Sequence, residues 1–98
     1  MASRYTLNVD CRDVADGWQC TVLIAGDGTA TRHQVAMTTE DRARYAPAGV
    51  TADDLVRASF AFLLERESPR SILRAFELPI IGRYFPEYEA EIRSRLGG

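Results

Sequence analysis

Alternation of apolar and polar residues in successive segments of the first forty positions limits this chain more than any other feature. Tyr5, Leu7, Val9 and Cys11 fall on one side of an extended segment, with Thr6, Asn8 and Asp10 on the other. That period of two predicts a half-buried strand. Asp13-Val14-Ala15-Asp16-Gly17 supplies turn chemistry, after which Trp18, Cys20, Val22 and Ile24 resume the apolar side. Gly26-Asp27-Gly28 is a second hairpin turn, and the registers it allows put Thr31, His33, Val35 and Met37 on that same side. Gln19, Thr21, Arg32, Gln34 and Thr38 fall on the opposite, polar side, where Leu23 breaks the pattern. Such a three-stranded meander is apolar on one face and cannot persist without a cover.

Only the second half of the chain can provide the cover. Val50 to Arg66 reads as the central helix. Thr51 is placed as its N-cap with Asp54 three residues on, Asp53 and Asp54 lie at the positive end of the helix dipole, and Arg66 lies at the negative end. Leu55, Val56, Ser59, Phe60, Phe62 and Leu63 form a broad apolar arc opposite Arg57, Ala61 and Glu65. Shorter helices are expected around it. Thr38 or Thr39 caps one that ends at Ala46-Pro47-Ala48-Gly49. Ser68-Pro69 opens a second, with Ile72, Leu73 and Phe76 as its apolar side, and Leu78-Pro79 a third containing Ile80 and Ile81. Phe85-Pro86 starts a fourth, in which Tyr88, Ile92 and Leu96 recur, and Gly97-Gly98 ends it.

The expected fold is therefore α+β. A three-stranded antiparallel meander over residues 1–38 precedes a helical part over 39–98, whose central helix and several short helices pack on one face of the sheet. A length of 98 residues fits a single domain that buries roughly two-thirds of its unfolded surface.

The stretch from Phe62-Leu63-Leu64-Glu65-Arg66-Glu67 through Ser68-Pro69, Ser71-Ile72-Leu73, Phe76 and Leu78 to Ile81-Gly82-Arg83-Tyr84-Phe85-Pro86-Glu87-Tyr88-Glu89 resembles a recurring pattern in short uncharacterised bacterial proteins. The resemblance covers about the C-terminal third of the chain, or nearly half with the long helix, and it implies no particular activity. The meander resembles small antitoxin-like sheets, which carry a later strand that the reading above does not supply.

Charge narrows the function classes. The net charge is −2, and the 12 basic residues, all arginine, are spread as evenly as the 14 acids. No helix gathers bases on one face, which argues against nucleic-acid binding. No apolar run approaches the roughly 18 residues of a membrane span, and no apolar signal core opens the chain, so the expected place is the cytoplasm, with no membrane association. Cys11 and Cys20 match neither a zinc nor a thioredoxin-like spacing, and in that compartment they are expected to be reduced core residues. One register would nevertheless set them face to face across the first hairpin.

No catalytic constellation emerges. His33 is the sole histidine and lies near Cys20, yet no nucleophile elbow or oxyanion-hole signal accompanies the pair, and a partly buried histidine at a core edge is the plainer reading. Asp10, Asp13 and Asp16 lack the alternating ligand spacing and distant glutamate of a calcium loop. Neither a metal nor a cofactor is expected. The most suggestive set is Arg70, Arg74, Arg83, Tyr84, Phe85 and Tyr88, because arginine and tyrosine dominate protein interfaces. The competing reading buries Phe85 and Tyr88 and pairs Arg83 with Glu87. The leading functional expectation is a small non-catalytic module that binds a protein partner or self-associates through Arg70, Arg74, Arg83, Tyr84 and Tyr88. The alternative is a ligand-binding or enzymatic pocket between sheet and helices, at Trp18, Cys20 and His33.

Overall fold

A computed structural model describes residues 4–97. Gly98, read above as part of the terminal stop, lies outside them. The described residues form a mixed fold with a four-stranded mixed sheet and four α-helices. Strands β1 (Thr6–Val14), β2 (Gly17–Gly26) and β3 (Thr29–Thr38) are antiparallel neighbours. Two-residue loops join them. In the second loop Asp27 and Gly28 have φ of 53° and 75°, the pair of positive values that matches the twist of a tight hairpin. At the first, Gly17 runs against β3 so closely that a β-carbon there would strike the Met37 carbonyl oxygen.

The alternation read from the sequence is clearest in the middle of β2 and β3. Cys20, Val22, Ile24, His33, Val35 and Met37 are buried, while Leu23 is exposed on the other face. Between β3 and the next helix, Thr38 and Asp41 form a reciprocal capping box, the Thr38 hydroxyl accepting from the Asp41 N–H and the Asp41 carboxylate accepting from the Thr38 N–H. Helix α1 (Thr39–Tyr45) follows, then α2 (Ala52–Leu64). Thr51 caps α2 by accepting from the Asp54 N–H at 3.1 Å. Leu55, Val56, Ser59, Phe60, Phe62 and Leu63 are all buried. Phe60 lies 5.5 Å from the His33 ring, tying α2 to the apolar face of the sheet.

Two expectations are corrected. The segment after Ser68 is not a helix: Pro69–Ser71 makes a single 3-10 turn, and Ala75–Glu77 forms strand β4, parallel to β3. This strand lies within the part expected to be helical. Its anchors are backbone bonds, Gln34 N–H to the Arg74 carbonyl at 2.8 Å and Leu78 N–H to the Ala36 carbonyl at 2.9 Å. Among the described residues the sheet therefore keeps its long open edge at β1. The cysteines are also not free thiols: Cys11 and Cys20 face each other across β1 and β2 and are joined in a disulfide. The chain continues into α3 (Ile80–Tyr84) and α4 (Tyr88–Arg95), each preceded by a proline. Among the described residues no helix is long and apolar enough to cross a membrane.

Candidate functional site

Residues 63–85 form a groove because the chain changes direction three times within a short span. Past the end of α2, Pro69 opens the 3-10 turn, which tucks Ile72 inside and leaves Leu73 44% exposed. Strand β4 then leads back along β3, and Leu78-Pro79 reverses the chain into α3. That helix has only five residues, so its two sides meet different surroundings: Ile81 is buried while Tyr84 is 65% exposed. Between them lies a groove of about 390 Å³ lined chiefly by Leu63, Leu73, Phe76, Ile80, Tyr84 and Phe85. Apolar lining and a volume of this order are what binding sites for small ligands or anchoring side chains require.

Glu67 is the one ionisable acid in the lining, and burial pushes its carboxyl above the usual carboxylate range. Arg70 and Arg74 flank the lining residues Ser71 to Leu73 in sequence, and Arg83 precedes Tyr84. All three arginines are exposed, and their side chains make no ion pair or hydrogen bond among the described residues. The pairing of Arg83 with Glu87 is not formed. Glu87 instead binds Arg66 at 3.1 Å, and a hydrogen bond from its own backbone N–H, followed by that from Arg66, draws its carboxyl below the ordinary range.

Tyr88, read with this group, belongs elsewhere. Its ring is fully buried between Tyr45 and Phe62, and its hydroxyl shares a 2.7 Å hydrogen bond with Ser59, whose own hydroxyl donates to the Leu55 carbonyl. Since the Ser59 proton is committed there, Tyr88 is the donor to Ser59. Burial raises the phenol well above its usual value. The ring is interior filling and is not available to a partner.

The alternative set does not converge on one pocket. Cys20 is fully buried and its sulfur is held by Cys11. His33 is fully buried with both ring nitrogens engaged, Nδ1 2.8 Å from the Leu73 carbonyl oxygen and Nε2 2.9 Å from the Thr31 hydroxyl. A carbonyl only accepts, so Nδ1 carries the proton and Nε2 accepts from Thr31. Burial holds this imidazole below its ordinary pKa, against the pull of the Leu73 carbonyl, with the nearby charge of Arg74 adding to the depression. A histidine neutral and bonded in this way pins the 72–74 segment to β3, and its Nε2 lone pair is not free to act as a general base. Trp18 lines a separate hollow near the first turn, with Val14, Met37, Asp41 and Glu77. No group of three or more His, Cys, Asp and Glu side chains is arranged to hold a metal ion among the described residues.

The helical reading of residues 69–76 missed Glu67 as a groove residue and hid the relation between Leu73 and Phe76. The overlooked signal was another alternation: Phe76 and Leu78 turn inward while Ala75 and Glu77 remain exposed. No protein-family model matches this chain, and no match was found among curated proteins or solved structures.

Proposed function

We infer that the chain is a small non-catalytic protein-interaction module that docks a partner segment in the groove between β4 and α3. One observation carries this reading. Among the described residues, Leu73 and Tyr84, two of the four large apolar side chains left exposed, lie on the same groove, and three arginines adjacent in sequence to its lining residues have no ionic partner. A partner that suits this surface presents an apolar anchor flanked by acidic side chains. The same reading takes α2 as the central helix, with the shorter helices packed beside it on one face of the sheet. Its support is the buried arc of α2 and the Ser59–Tyr88 hydrogen bond.

The test is capture from the source cells by immobilised wild type, Tyr84→Ala, Arg83→Glu and, as a surface control, Leu23→Ala. A partner held by wild type and Leu23→Ala but released by the two groove variants supports the module. Capture of nothing, or equal capture by all four, removes it. A small amphipathic ligand is the second reading, favoured by the groove's volume and by the lone Glu67 carboxylate, which suits a cationic or hydrogen-bond-donating head.

A further inference from the structure

The two tight turns fix where each backbone amide of β1 points. Val14 and Gly17 close the first turn, and Gly26 and Thr29 close the second. Hydrogen-bonded and non-bonded pairs alternate outward from those closures. The odd residues of β1, from Leu7 through Val9 and Cys11 to Asp13, therefore turn their N–H and C=O groups away from β2. Two separate distances agree with this phase. Cys11 and Cys20 have Cα atoms 4.0 Å apart, in keeping with the closely spaced, non-bonded class of pairs, and the Leu7 carbonyl accepts from Arg57 Nη1 at 2.9 Å on the open side. No backbone hydrogen bond closes Val9, Cys11 or Asp13 from that side among the described residues.

We propose that this edge pairs with β1 of a second copy of the chain, antiparallel and centred on Cys11. Two features select that register. Arg57 occupies Leu7, so the available stretch runs from Val9 to Asp13, and Cys11 is its midpoint. In this register Asp10 lies opposite the second copy's Arg12, twice by symmetry. Both side chains are exposed on the polar face, and neither makes an ion pair among the described residues. Moving the centre by one residue, a slip of two in register, places it on Asp10 or Arg12 and sets like charges directly opposite, which destabilises a sheet. The chosen register forms about six main-chain hydrogen bonds, with Val9 and Asp13 exchanging bonds at each end. Five residues a side give an interface at the small end of the range, so the dimer is transient and concentration-dependent. The inference does not rest on the groove.

Sedimentation velocity from micromolar to millimolar concentration tests it, using wild type, Asp10→Arg, Arg12→Asp and the double exchange. Wild type is expected to dimerise as concentration rises. Each single reversal weakens the dimer about tenfold, by turning two attractive pairs into two repulsive ones, and the double exchange restores it. Amide exchange on wild type provides a reading free of any folding effect of the variants: Val9, Cys11 and Asp13 should slow with concentration. A monomer throughout the range, or a dimer indifferent to the single reversals, overturns the proposal. So does a dimer lost only on Tyr84→Ala, which would place self-association in the groove.

Discussion

Tyr84 and Tyr88 are four residues apart, each near arginines and phenylalanines, and their fates are opposite. Around Tyr88 the surroundings are closed. Arg66 lies over the Phe62 ring at 3.6 Å, Arg95 lies over the same ring at 5.6 Å, both arginines pair with Glu65, and the phenol hydroxyl is bonded. Around Tyr84 the groove is open, and Arg70, Arg74 and Arg83 are left without ionic partners among the described residues. The same composition therefore makes a structural seam in one place and a candidate docking surface in the other. What separates them is whether acids reach the guanidinium groups, as Glu65 at the end of α2 and Glu87 just before α4 do on the closed side.

The comparison can be broken most forcefully from the closed side. Phe62→Ala removes a fully buried ring packed on Phe85 and Tyr88. It should cost about 3–5 kcal/mol in a denaturant titration, whereas a loss below about 1 kcal/mol would mean that the seam is loose. On the open side, Tyr84→Ala and Arg83→Glu should leave stability within about 0.5 kcal/mol, because exposed side chains away from special features rarely matter more. Each should weaken binding of the captured partner by about 2 kcal/mol or more, read by calorimetric titration.

Acid sharpens the contrast further. His33, with its pKa below the unfolded value, binds its proton more readily in the unfolded chain. Its contribution is intact above about pH 6.5 and declines as pH falls below that value, at up to about 1.4 kcal/mol per pH unit. Glu67 has the opposite sign: its raised pKa favours the folded state at low pH, and the advantage fades as pH rises through the folded value. Stability profiles of wild type and His33→Gln isolate the first slope, which should vanish in the variant. The smallest effect is expected at Glu67→Gln. Covering this carboxylate disfavours its charged form, so the variant should bind the partner a few-fold more tightly at pH 7 and lose the gain in affinity that wild type shows on acidification.

Much of the sheet and α2 could be read from the sequence, because their side-chain periods are long and unbroken. Strands β1 to β3, the Thr51 cap and the buried arc from Leu55 to Leu63 follow from local pattern, and the pairing of Cys11 with Cys20 was one of the registers it allowed. β4 was harder to read, since it has only three residues, too few for the alternation of Phe76 and Leu78 with Ala75 and Glu77 to stand out, and its anchors are main-chain bonds to Gln34 and Ala36. The candidate site was half legible. Arg83 and Tyr84 were marked by composition, but the separation of Tyr88 from them depends on Ser59, 29 residues away. The reading of reduced thiols rested on compartment and not on geometry, and the facing pair of strand positions joined the sulfurs.

Denaturant midpoints of Tyr84→Ala and Tyr88→Ala, measured side by side, test the division between seam and groove most directly. Loss of the buried Tyr88 ring and its bond to Ser59 should cost about 3–5 kcal/mol, while Tyr84→Ala should match wild type within about 0.5 kcal/mol. Equal destabilisation by the two substitutions would contradict the account, because Tyr84 would then be part of the packed interior and unavailable to a partner.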